Sequence, residues 1–181
     1  WVVMLRPYYT IFLALFFLNS TWAQDNRFDA GLAALKRGHY ATAMRAWIRM
    51  ADEGVAEAQN NVGHLYEEGF GVAQDYPKAM SWYKKAAEQG HSEAQANLGW
   101  FYLNGKGVEL DHKKAVEWYK KSAEQGYTSA QLSLGEIYKN GKGIPEDYTQ
   151  AFYWYKKVAE KGDSSAQYNL GLMYEYGKGT A

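Results

Sequence analysis

The chain has 181 residues, 47% of them apolar and 17% aromatic, with 20 Lys and Arg against 20 Asp and Glu. That is enough apolar mass for a core, and a formal charge of zero lacks the cationic footprint of phosphate-backbone binding, so nucleic acid is not an expected partner. The absence of cysteine excludes a disulfide framework, a cysteine-ligated zinc and a thiol nucleophile, and leaves the compartment to be read from the N-terminus.

Residues 1–23 place one positive charge, Arg6, before the apolar run Tyr8 to Leu18 and then Asn19-Ser20-Thr21-Trp22-Ala23, with small residues at 21 and 23 ahead of Gln24-Asp25. This is the architecture of a secretory signal peptide cleaved after Ala23. The run is too short for the roughly 20 apolar residues of a membrane span, so no span is expected after cleavage. Loss of Arg6 leaves 19 basic residues against 20 acidic ones, so the exported part is also near neutral.

Residues 24–54 read as an atypical helix pair. Ala30, Ala34 and Leu35 precede Gly38, and Tyr40 to Glu53 carries Ala43 and Trp47. Downstream, three segments of 36 residues align without a gap, 55–90, 91–126 and 127–162, and a fourth begins at 163 and stops at 181 without its second half. The register repeats Ala58/Ala94/Ala130/Ala166, Gly63/Gly99/Gly135/Gly171, Tyr66/Tyr102/Tyr138/Tyr174, Trp82/Trp118/Trp154, Tyr83/Tyr119/Tyr155 and Gly90/Gly126/Gly162.

Each unit parses into two helices. Ser92-x-x-Gln95, Thr128-x-x-Gln131 and Ser164-x-x-Gln167 predict reciprocal capping boxes at the start of helix A, and Ala56 breaks the pattern in the first copy. Gly69, Gly105, Gly141 and Gly177 end helix A, and a second Gly two residues on permits a tight connector. Asp75, Asp111 and Asp147 open helix B as N-caps, with Pro77 in the first turn of the first copy. Ala58, Val62, Leu65 and Tyr66 fall at i, i+4, i+7 and i+8 and predict one buried stripe. Neither helix can bury its face alone, so the units must stack. The predicted fold is all-α, a right-handed α/α superhelical solenoid of 36-residue helix pairs.

The run Ala-x-x-x-Leu-Gly-x-x-Tyr over 94–102, Gly-x-Gly-Val over 105–108, Asp111, and Ala115-x-x-Trp-Tyr-Lys-Lys-x-Ala-Glu-Gln-Gly126 resembles the Sel1-like repeat family, relatives of the tetratricopeptide repeat. The resemblance covers about 55–181. It implies a non-enzymatic adaptor that binds proteins, often in bacterial envelope or host-contact roles. Some cysteine-rich exported relatives carry a β-lactamase label, whose disulfide stapling does not transfer to a chain without cysteine.

No residue pattern demands chemistry. Ser81-Trp-Tyr-Lys84 matches the Ser-x-x-Lys of serine β-lactamases, but position 81 becomes Glu117 and Tyr153 in the other copies and no Lys-Thr-Gly accompanies it. His39, His64, His91 and His112 are scattered singly, and His64-Leu-Tyr-Glu-Glu lacks the second His of a helical zinc motif, so neither metal nor cofactor is expected. The Gly-x-Gly pairs follow helices and fail as phosphate cradles.

Function is therefore sought where the copies differ. Opposite the core stripe, helix A carries Asn60, Asn61, His64 and Glu68; then Asn97, Trp100 and Asn104; then Leu132, Ser133, Glu136 and Asn140; then Tyr168, Asn169, Leu172 and Tyr176. In helix-pair solenoids of this kind helix A lines the concave side. Amides that bond an extended backbone, set beside Trp100 and Tyr168 as anchors, suit recognition of a protein or peptide. The competing expectations are an envelope hydrolase and a structural solenoid that self-associates through its uncapped C-terminal end.

Overall fold

The computed structural model describes residues 26–179. Segment 1–23, expected to be a signal peptide cleaved after Ala23, lies outside these residues. Within them are nine helices and no strand: α1 (26–36), α2 (Tyr40–Asp52), α3 (Ala56–Glu68), α4 (Tyr76–Glu88), α5 (Ser92–Asn104), α6 (His112–Glu124), α7 (Thr128–Asn140), α8 (Tyr148–Ala159) and α9 (Ser164–Glu175). From α2 to α9 each helix packs chiefly on its neighbours in the chain, which gives an all-helical solenoid.

The helix ends follow from local chemistry. Gly69, Gly105 and Gly141 cap α3, α5 and α7 in the left-handed conformation. The second glycine of each connector is needed for a different reason. A Cβ on Gly71 would stand 2.6 Å from the backbone nitrogen of Ala41, and one on Gly107 2.8 Å from the backbone carbonyl carbon of Tyr76. Each connector thus lies against the start of the helix B one unit earlier, and only glycine permits that approach.

The carboxylates of Asp75, Asp111 and Asp147 each accept the backbone N–H three residues on, at 2.9 Å. Those bonds, from Lys78 and Lys114, hold the carboxyls of Asp75 and Asp111 below their ordinary value of 3.8. A carboxyl depressed by folding stabilises the native state above its unfolded value, and that stability is lost as the pH falls through the folded one. Asp111→Ala should therefore lower the melting temperature at neutral pH, with the gap to the parent narrowing once the pH drops below 3.8. A gap independent of pH would remove the charge from the account.

The capping boxes expected at helix A are not formed. Ser92, Thr128 and Ser164 are the first helical residues instead of the caps. The caps sit one residue earlier, where His91 Nδ1 accepts from Ala94 N–H at 3.2 Å and Asp163 accepts from Ala166 N–H at 2.8 Å. The glutamines are drawn backwards into the seam between units. Gln59, Gln95 and Gln131, all buried, donate to the carbonyls of Ala51, Ala87 and Ala123 in the last turn of the preceding helix, at 2.9–3.1 Å. Their side-chain oxygens accept from Gln89, Gln125 and Lys161 at the end of the following helix B, at 2.7–3.0 Å. Buried amides must be paired on both ends, and this ladder does so across three units.

The core follows the predicted stripe except at its tyrosine position. Ala58, Val62 and Leu65 in α3, Ala94, Leu98 and Phe101 in α5, and Ala130, Leu134 and Ile137 in α7 are buried, whereas Tyr66 and Tyr102 are half-buried and Tyr174 is exposed, because the stripe's edge is not fully covered by the neighbouring helix. Tyr83, Tyr119 and Tyr155 press their rings on Gly63, Gly99 and Gly135 within the same unit, leaving no room for a Cβ. Asn60, expected on the exposed face, is buried and accepts a hydrogen bond from Asn97 Nδ2 at 3.1 Å. The buried face is thus wider than one helix alone implies, and Asn97 of the next helix A supplies Asn60 with its partner.

Candidate partner-binding face

One register position of helix A carries four chemistries. His64, Trp100, Glu136 and Leu172 are 36 residues apart, on α3, α5, α7 and α9, while the scaffold around them repeats. His64 is half-buried with its ring edge-on to Phe70. The side chains of Trp100 and Glu136 are exposed, Trp100 at 38% with its ring set against Phe101. Leu172 is half-buried.

Three clefts open along these helices. The first, about 320 Å³, lies between α5 and the start of α7 and is bordered by Glu67, Asn97, Trp100, Tyr119, Ser129 and Ser133. The second, about 370 Å³, is bordered by Trp100, Asn104, Tyr119, Glu136, Asn140 and Lys142. The third and largest, about 560 Å³, brings Lys139 and Asn140 of α7 to Asn169, Leu172 and Tyr176 beside α9, with Tyr148 and Lys178.

Most of the expected residues are gathered here, and some are not. Asn97, Trp100, Asn104, Glu136, Asn140, Asn169, Leu172 and Tyr176 border one or more clefts. Asn61, His64, Glu68 and Tyr168 lie outside these three, and Tyr168 is 67% exposed. Several amides already have partners: Asn104 Nδ2 donates to the carbonyl of Trp100 at 2.8 Å, and Asn169 donates to Ser165 while accepting from Lys139 Nζ.

Sequence reasoning missed Glu67, Lys139 and the double role of Tyr119. Positions 67, 103, 139 and 175 are Glu, Leu, Lys and Glu, a variation comparable to that at 64, 100, 136 and 172, and that variation is their signal in the sequence. Glu67 accepts the hydroxyl proton of Tyr83 at 2.5 Å. Burial first, and then the charge of Glu67, push the Tyr83 phenol well above its usual range. Burial, with the Glu136 carboxylate adding to it, pushes the phenols of Tyr119 and Tyr155 up to about 12. His64, Glu67 and Glu68 bring one ligating atom each within 4.8 Å of one another, with Glu67 already engaged by Tyr83.

A 36-residue helix pair, a left-handed glycine after each helix A and a variable face on a repeated core define an α/α solenoid repeat protein. The Sel1 repeat family matches residues 56–91, 92–127, 128–163 and 164–181, and the chain belongs to that family. The chain is 37% identical to a Sel1 repeat protein from Oxalobacter formigenes, with a TM-score of 0.78 over 85% of this chain and 61% of that one. It is 34% identical to c5321, a protective antigen present in uropathogenic Escherichia coli strains that displays an SLR fold, with a TM-score of 0.83 over 90% of this chain and 36% of the other. The cysteine rich protein B of Helicobacter pylori shares 26% identity at a TM-score of 0.50, over 62% of this chain and 94% of its own. The chain thus spans about three-fifths of the length of the first of these and about one-third of the second. No curated protein matches it. Members of the family are in general protein-interaction scaffolds, and the fold is typically non-catalytic.

Proposed function

We propose that this chain is an exported, non-enzymatic scaffold that holds a partner protein or peptide along its helix-A face. The observation that carries this reading is the register position 64/100/136/172, where four side chains of different chemistry stand on one repeated frame and three of them border clefts. A packing role would favour one residue type at that position, as it does at 63/99/135, whereas reading an irregular partner requires different ones. Export rests on the signal-peptide pattern of residues 1–23. No helix among the described residues is long and apolar enough to cross a membrane. The description of the E. coli relative as a protective antigen suits the same placement. Catalysis at Ser81-x-x-Lys84 is disfavoured, because Ser81 is exposed on α4 and Lys84 is drawn to Glu88 at 3.9 Å.

The test is affinity capture from a cell-envelope extract, with Trp100→Ala/Glu136→Ala/Tyr168→Ala beside the parent. All three side chains are exposed, so the variant should keep the parent's helicity and melting temperature. A protein held by the parent and released by the variant is the expected result. Equal capture by both would move the binding surface off this face.

A further inference from the structure

The helix-A face is electrically uneven. α3 and α5 carry Glu57, Glu67, Glu68 and Glu93 without a lysine or arginine, whereas α7 carries Lys139 beside Glu136; the connectors after α5 and α7 each hold one lysine, Lys106 and Lys142. The ion pairs among the described residues join Arg49 to Glu53, Lys78 to Asp75, Lys84 to Glu88 and Lys114 to Asp111, and leave every helix-A carboxylate uncompensated. Glu136 in particular accepts no hydrogen bond from any described side chain, although Asn97, Asn104, Asn169 and Glu67 nearby are all engaged.

Trp100 borders both the first and second clefts, as do Tyr119 and Ser133, with Glu67 lining one and Glu136 the other. Other aromatic rings of the solenoid are occupied by the protein's own cations: Lys85 stands 3.7 Å from the Trp82 ring centre, Lys121 4.2 Å from Trp118, and Lys157 5.4 Å from Trp154. None of the cation–ring contacts among the described residues involves Trp100. An exposed indole with no cation over it, beside a carboxylate with no donor, is complementary to a group that is both flat and positively charged.

We infer that the second cleft, bordered by both Trp100 and Glu136, seats an arginine side chain of the bound segment, its guanidinium lying on the Trp100 ring and donating to the Glu136 carboxylate. Arginine is favoured over lysine because its planar fork stacks and pairs at once, and because the guanidinium is more weakly hydrated than an ammonium. Glu67 on the far side of Trp100 favours further positive charge at that end, and Lys139 and Lys142 disfavour it at the other. The bound segment therefore runs with its basic end towards α3. This inference rests on the peptide-binding reading proposed above and names the chemistry of the partner that reading requires.

The test is selection of random dodecapeptides displayed on phage against the full chain, followed by titration of the best binder as a synthetic peptide. The expected result is enrichment of peptides with arginine at one fixed position. Replacing that arginine by the uncharged isostere citrulline should weaken binding about five- to tenfold, as should Glu136→Gln in the protein. The two changes together should cost little more than either alone, because each removes the same pair. Trp100→Leu should also reduce the preference for arginine over citrulline. Glu136 is exposed, so unaltered circular dichroism and melting temperature will show that Glu136→Gln leaves the fold intact. Enriched peptides without a basic preference, or an arginine peptide indifferent to Glu136→Gln, would overturn the anchor while leaving peptide binding in place. Failure to enrich any peptide would overturn the peptide-binding reading and the anchor with it.

Discussion

Trp47→Ala is expected to undock the N-terminal helix pair, at a cost of about 3–5 kcal/mol. Trp47 is 1% exposed on α2 and its Nε1–H donates to the carbonyl of Phe28 at 3.2 Å, with the two rings 5.9 Å apart. Its indole lies so close to Gly31 of α1 that no Cβ fits between them. One side chain thus supplies both a polar and an apolar contact to α1, and truncation opens the cluster against which Phe28, Leu32 and Leu35 of α1 also pack. In a solenoid, stability is close to a sum over units and their interfaces, so the damage should stay local. Hydrogen exchange should show amide protection lost in α1 and reduced in α2, with α7 and α8 close to parental. Uniform loss of protection from α1 to α9 would mean that the chain unfolds as one unit and that the repeat-by-repeat account fails.

The fold is legible in the sequence to the extent that its rules are local. Gly69, Gly105 and Gly141 end their helices, and Asp75, Asp111 and Asp147 start theirs, because a cap is decided within four residues of chain. The apolar stripe follows from helical periodicity in the same way. The glutamines illustrate where local rules fail. Ser-x-x-Gln spacing satisfies a capping box and a cross-unit hydrogen bond equally well, and the outcome turns on Ala87 and Gln125, which approach Gln95 only after the units stack. Asn60 fails for the same reason: it is polar and opposite the stripe, yet stacking of the units buries it and Asn97 of the next unit supplies its partner. In the candidate site the variable positions stood out because the frame around them repeats. The first two clefts did not, since they depend on Tyr119, which packs on Gly99 and also borders the space beside Trp100.

Alanine substitution at a single register position should change sign along the chain, with Gly135→Ala destabilising and Gly171→Ala stabilising. Both glycines lie inside helix A, where alanine gains roughly 0.5–1 kcal/mol from backbone entropy alone. At 135 a Cβ would meet the Tyr155 ring at 2.8 Å, and Tyr155 is buried beneath α8. The ring must move or α7 and α8 must separate, and such overpacking costs about 1–3 kcal/mol, which exceeds the propensity gain. At 171 a Cβ meets nothing within 4 Å, so the helix gain stands unopposed. A second substitution separates sterics from propensity: with Tyr155→Leu in place, Gly135→Ala should lose much of its cost, while Gly171→Ala should gain as much as before. Thermal denaturation of Gly135→Ala, Gly171→Ala, Tyr155→Leu and the two double variants reads all of this directly. If Gly135→Ala raises the melting temperature as Gly171→Ala does, Tyr155 has room to spare, and the recurring glycine does not owe its place to the tyrosine it faces.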